Sequence, residues 1–215
     1  MSVHLTGCIC LKKMEGRMKT IRIGIAGPVG SGKTALVEAL VKLMKEKHSI
    51  GVVTNDIYTK ADSSKLASKN ILEEDRICGV ETGGCPHMAI REDVSMNEAA
   101  CRKLKEAHSD IDLIFIESGG DNLSATFSPD LVDGIMYVIS VAEGDDIPKK
   151  GGPGITKSDM LVVNKIDLAP YVEVDLNKIE EDVKFMRNGR AYAMTNLKKM
   201  ENVDKIVSWI ESYFE

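Results

Sequence analysis

Residues 27–34 read GPVGSGKT, a complete G-x-x-x-x-G-K-T between an apolar run and an amphipathic stretch. That pattern belongs to a loop that cradles phosphates. Gly30 and Gly32 let the backbone curl so that its N–H groups face phosphate oxygens, and Gly27, Val29 and Ser31 complete the cradle. The helix that follows adds the favourable dipole of its N-terminus. Lys33 is placed to reach the β- and γ-phosphates, and the Thr34 hydroxyl to ligate Mg²⁺. A second set lies far downstream: Met160–Asp167 reads MLVVNKID, an apolar run ending in N-K-x-D. Asp167 can accept two hydrogen bonds from the N1–H and N2–H₂ edge of guanine. Adenine lacks that donor pair and would leave the carboxylate unpaired. Asn164 can hold the other edge of the base, and the Lys165 stem can cover its face. Thr195 and Asn196, just after a later apolar run, are placed to add a backbone contact to the base. The ligand these residues describe is GTP or GDP.

Carboxylates near a metal form the next group. Asp56 follows the run Gly51–Thr54 and is placed to hold Mg²⁺ directly or through water; a turn residue is the plainer alternative. Glu117 ends Leu113–Ile116, where phosphate-loop proteins carry an acidic residue beside the metal, and Gly119-Gly120 then lets the chain bend by the γ-phosphate. Lys33, Asp56 and Glu117 are the candidate catalytic residues, and either carboxylate can position the attacking water. Glu81–His87 reads ETGGCPH. A thiolate and an imidazole, Cys85 and His87, suit Ni²⁺, Cu²⁺ or Zn²⁺, and Pro86 stiffens the pair. Two ligands do not complete a four-coordinate site, but a two-fold dimer supplies the pair twice. Square-planar geometry would suit Ni²⁺ and tetrahedral geometry Zn²⁺. Alone, the tripeptide reads more readily as a buried thiol beside a surface histidine. The two glycines before it favour a segment that moves with the nucleotide.

Elements must hold these residues together. Short apolar runs, Ile21–Ala26, Gly51–Thr54, Arg76–Val80, Leu113–Ile116, Ile135–Val141, Met160–Val163 and Ala191–Met194, read as strands. Between them Thr34–Lys47, Ala61–Glu74, Ser95–Ala107, Leu176–Met186 and Val203–Tyr213 read as helices. Such alternation predicts an α/β fold: a single P-loop NTPase domain with a mostly parallel central sheet and helices on both faces. Residues 1–19 read as a poorly ordered tail and residues 20–215 as the domain. Ile147–Ile155 and Tyr58–Lys69 read as loops that order with nucleotide or partner. The 28 basic and 33 acidic residues give net −5, which argues against a nucleic-acid partner. No run approaches the roughly eighteen apolar residues of a membrane span. Five cysteines, an odd number placed unevenly, fit free thiols in a reducing cytoplasm better than disulfides. Of these, Cys8 and Cys10 fall in the tail with His4, whereas Cys78 and Cys101 read as core.

The longer segments resemble the urease accessory protein G family. They are GPVGSGKT, TNDIYTK (Thr54–Lys60), VETGGCPHMAIRED (Val80–Asp93), ESGGDNLSATFSP (Glu117–Pro129), VAEGDDIPKKGGPGI (Val141–Ile155) and VNKIDLAPYV (Val163–Val172). The resemblance runs from about Ile21 to the C-terminus. It implies a P-loop GTPase of the class that includes signal-recognition and MinD-like proteins. It further implies Ni²⁺ bound through Cys85 and His87, homodimerisation when GTP and metal are bound, and delivery of nickel to urease with other accessory proteins. Asp56 matches the family's switch residue near Mg²⁺, and Glu81 lies on the segment joining nucleotide to metal motif. The single His4 departs from the His-rich N-termini of some relatives. GTP turnover without partners is expected to be slow; Lys149 and Lys150 are the cations that could approach a nucleotide across a dimer. Two alternatives stand beside this reading. One is a hydrogenase-maturation nickel GTPase, although ESGGDNLSATFSP and KGGPGI favour urease. The other is a metal buffer or sensor holding GTP as a static ligand.

Overall fold

The computed structural model describes residues 19–55, 71–81, 86–120, 123 and 126–215, with Pro86 and His87 described in their backbone alone. Asp56, Cys85 and residues 1–18 of the proposed tail lie outside the described residues, as does most of the helix expected over 61–74. Within the described residues the elements run β1 (Ile21–Ala26), α1 (Lys33–Met44), β2 (Ile50–Thr54), β3 (Ile77–Gly79), α2 (Pro86–Arg91), α3 (Ser95–Ala107), β4 (Leu113–Glu117) and β5 (Gly134–Ser140). They continue with α4 (Ile147–Lys150), α5 (Pro153–Lys157), β6 (Met160–Asn164), α6 (Leu176–Arg187), β7 (Ala191–Met194) and α7 (Val203–Glu211).

The strands form one seven-stranded sheet in the order β3-β2-β4-β1-β5-β6-β7. Every neighbouring pair is parallel. Strand alternation divides its side chains between two cores. Ile23, Ile25, Val52, Phe115, Val138 and Val162 face one side, where Leu36 and Leu40 of α1 and Ile206 and Ile210 of α7 cover them. Ala26, Val53, Ile114, Ile116, Tyr137 and Val163 face the other, under Cys101 and Leu104 of α3 and Ile179 and Val183 of α6. Burial on both faces is why these strands are continuous apolar runs.

Two stretches differ from the sequence reading. Residues 71–73 are not helical, and Glu74–Arg76 makes a single 3₁₀ turn. Ile71 is drawn into the core, and Arg76 is held by Glu73 and Ser49, which fixes an irregular path. The stretch expected as an Ile147–Ile155 loop instead winds into α4 and then α5. Each carries proline in its first turn, where the missing N–H has no helical partner to lose.

Candidate functional site

In a parallel sheet the loops that leave the carboxyl ends of the strands share one edge, and ligands bind in the crevice there. The described residues that directly follow β1, β2, β4, β5, β6 and β7 lie on that edge, so residues far apart in sequence meet.

The loop after β1 turns on glycines. Gly27 has φ +144, and a Cβ on it would strike the backbone carbonyl of Val138 in β5. Gly32 has φ +108 and caps α1; a Cβ there would strike Asn164 Nδ2. Ser31 N–H donates to Pro28 O at 3.2 Å, closing the turn, and Leu36 N–H to Gly32 O at 2.9 Å opens the helix. Lys33 is buried, and its ammonium donates to Gly27 O at 3.0 Å and Pro28 O at 3.1 Å. Lys165 Nζ donates to Gly30 O at 2.6 Å. Two cations thus cross the loop where phosphate charge is expected. Ser31 is fully buried, whereas Val29 stands 82% exposed at the tip, its side chain beside Gly120.

Thr34 and Glu117 meet at the end of β4. Thr34 Oγ1 donates to Glu117 Oε1 at 2.7 Å, and Glu117 is buried. A hydroxyl and a carboxylate side by side are hard oxygen donors, a set that fits Mg²⁺.

Asn164, Lys165, Asp167 and Asn196 line a groove of about 640 Å³ together with Gly32, Leu197 and Glu38 and Lys42 of α1. Asp167 is exposed there. Asn164 acts in addition as a strut. Its Nδ2 donates to Ser31 O at 2.9 Å, and its Oδ1 accepts from Leu197 N at 3.3 Å and Thr195 Oγ1 at 3.4 Å. The phosphate loop and the loop after β7 are therefore tied through one amide. Thr195 differs from the sequence reading. Its N–H donates to Val163 O at 2.7 Å and its carbonyl accepts from Ile166 N at 3.2 Å, so its backbone is engaged in the sheet corner. Lys165, with φ +62, is drawn toward the phosphate loop by its bond to Gly30.

Two features escaped the sequence reading. Glu143 ends a 3₁₀ turn after β5; burial pushes its carboxyl above the usual range, while Lys165 and Lys33 pull it back. Its signals were its place after a strand that neighbours β1 and within VAEGDDIPKKGGPGI. The second is Asn55, which is fully buried and paired with Asn97 of α3. Both lie inside longer segments quoted above, Asn55 in TNDIYTK and Glu143 in VAEGDDIPKKGGPGI, but residue type alone gave neither a role. His87 falls in the first turn of α2.

Residues 21–193 match the CobW/HypB/UreG nucleotide-binding domain. The chain belongs to this family. Within it, the urease accessory protein UreG of Lysinibacillus sphaericus is 59% identical over 196 residues, 91% of this chain and 94% of that protein. The urease accessory protein UreG of Staphylococcus saprophyticus is 59% identical over 192 residues, 89% of this chain and 94% of its own length. Among solved structures, HypB from Helicobacter pylori in complex with nickel superposes with a TM-score of 0.75 at 21% identity, covering 91% of this chain and 87% of that one. That likeness concerns the fold. No helix among the described residues is long and apolar enough to cross a membrane.

Proposed function

We propose that this CobW/HypB/UreG-family chain is a GTP-hydrolysing nickel metallochaperone. It delivers Ni²⁺ for assembly of the urease active site through dimerisation that depends on GTP and metal. The observation that carries the reading is the 59% identity, along nine-tenths of the chain, to proteins named urease accessory protein UreG. The site chemistry supports it. The groove presents Asp167 for the guanine donor edge, and Lys33 and the N-terminus of α1 offer positive charge to the phosphates. Thr34 and Glu117, with Asp56, would hold Mg²⁺, which when bound neutralises charge developing on the phosphates. Glu117 or Asp56 orients the attacking water. Nickel is cargo: Cys85 and His87 of two protomers give four ligands, a set that also suits Zn²⁺. Loss of the γ-phosphate contacts loosens the dimer and divides the ligand set, so the metal passes on to the other urease accessory proteins and urease, in the cytoplasm.

Light scattering tests the reading. Molar mass is measured with Mg²⁺ and a non-hydrolysable GTP analogue, with and without one Ni²⁺ per dimer. Dimerisation that requires both ligands and is lost in Cys85→Ala and His87→Ala is the expected result. A mass indifferent to nickel would overturn the shared site.

A further inference from the structure

Helix α2 carries His87, and the structure ties it to the Thr34–Glu117 pair through a continuous run of hydrogen bonds. Thr34 Oγ1 donates to Glu117 Oε1 at 2.7 Å. The Glu117 backbone carbonyl accepts from Asn55 N at 3.0 Å and from Asn55 Nδ2 at 3.1 Å. Asn55 and Asn97 then exchange amide bonds: Asn55 Nδ2 to Asn97 Oδ1 at 2.9 Å, and Asn97 Nδ2 to Asn55 Oδ1 at 2.8 Å. The second Nδ2 hydrogen of Asn97 reaches Ala89 O of α2 at 2.9 Å. Both asparagines are 0% exposed.

The orientation of the pair is determined by its outer partners. Asn55 Nδ2 must face the Glu117 carbonyl and Asn97 Nδ2 the Ala89 carbonyl. Flipping either amide would set carbonyl oxygens against each other. Every amide hydrogen is used, so the arrangement admits one placement of α2 relative to the ends of β2 and β4. A buried amide pair is costly unless all its bonds are made, and apolar residues would fill the space without that demand. α2 is held on its other side by Ser128 N–H donating to Ile90 O at 2.8 Å, and Ser128 lies on the segment that follows Glu117. Both holds on the helix therefore trace back to β4.

We infer that Asn97, paired with Asn55, is the positioning residue that makes the placement of the metal-bearing helix depend on the nucleotide state of the Asn55–Glu117 edge. It touches neither nucleotide nor metal, and acts through Ala89. This rests on the function proposed above. A shift of the Glu117 or Asn55 backbone breaks the amide exchange and releases α2; restoring it re-seats the helix.

The test measures Ni²⁺ affinity of the full chain by competition with a chelating indicator, with Mg·GDP and with Mg and a non-hydrolysable GTP analogue. It compares the parent with Asn97→Ala and Asn97→Asp. The aspartate still accepts from Asn55 but cannot donate to Ala89. The parent should bind Ni²⁺ at least about fivefold more tightly with the analogue, the lower end of ordinary coupling. Both variants should bring that ratio within about twofold of unity, while nucleotide affinity without nickel and basal hydrolysis stay within about twofold. Adding Asn55→Ala to Asn97→Ala should change the ratio no further, because the two act as one unit. A folded variant that keeps the parent ratio overturns the inference alone. A parent whose nickel affinity ignores nucleotide overturns the proposed switch and this inference with it. Should the variants unfold, hydrogen exchange on the parent decides: amides of residues 89–97 must differ in protection between the two nucleotides, and equal protection refutes the coupling.

Discussion

Gly32→Ala isolates the junction between the phosphate loop and the base groove. Two costs follow from the geometry. Gly32 holds φ +108, and an L-residue in left-handed backbone costs about 1–2 kcal/mol. The new methyl would also meet Asn164 Nδ2, the atom that donates to Ser31 O at 2.9 Å. Moving that amide leaves a buried carbonyl unpaired, at about 1–3 kcal/mol. The sum is about 2–5 kcal/mol, or a Tm lower by about 4–20 °C for a chain of this size. The assay is urea unfolding of nucleotide-free protein for Gly32→Ala, Asn164→Ala and the double variant. Asn164→Ala alone already loses the Ser31 bond, so the double variant should be less destabilised than the sum by at least about 1 kcal/mol. Additivity within about 0.5 kcal/mol, or a Gly32→Ala effect below that size, would refute the steric link between the two motifs.

Other consequences are equally direct. Asp167→Asn should weaken GTP about 10²–10⁴-fold by removing two charge-assisted hydrogen bonds of about 1.5–3 kcal/mol each. The same variant should gain affinity for xanthine nucleotides, whose C2 carbonyl accepts from the new amide; fluorescence titration with both nucleotides checks this, and an unchanged preference sinks it. Arg187 is buried, with burial pushing its guanidinium down to about 10, and it donates to Ile155 O, Ser158 O, Ser158 Oγ, Asp159 O and Ala191 O. Arg187→Leu strands those acceptors and should cost at least about 3 kcal/mol in urea unfolding; a loss under about 1 kcal/mol would refute this. Burial pushes the Cys101 thiol up to about 11 from its ordinary 9.0, and burial with Asp159 and Asp133 nearby pushes Tyr213 up to about 12 from 10.0. Both groups hold their proton more tightly when folded, so their contribution is complete below pH 9 and is lost as pH rises through 11 and 12. Melting followed across that range should show the decline, and Tyr213→Phe should flatten its upper part; a coincident variant curve would count against it.

What could be read from the sequence was local. GPVGSGKT and NKID carry their chemistry in adjacent residues, so their residue types alone named phosphate and guanine. Strands buried on both faces show as unbroken apolar runs, and α1, α3, α6 and α7 show their period on one face, so order and fold class followed. The 3₁₀ turn at Glu74–Arg76 and the helices α4 and α5 were missed because each is a turn or so long and set by tertiary anchors, not by periodicity. The hydrogen-bonded links were also beyond reach. Asn164 meets Ser31 across 133 positions, and Asn55 meets Asn97 across 42. An asparagine looks the same in sequence whether it caps, turns or bridges. Only the tertiary arrangement, with β5 alone between β1 and β6 and with α3 packed on β2, sets these amides against their partners, because hydrogen-bond partnership is decided by ångströms in space and not by spacing along the chain.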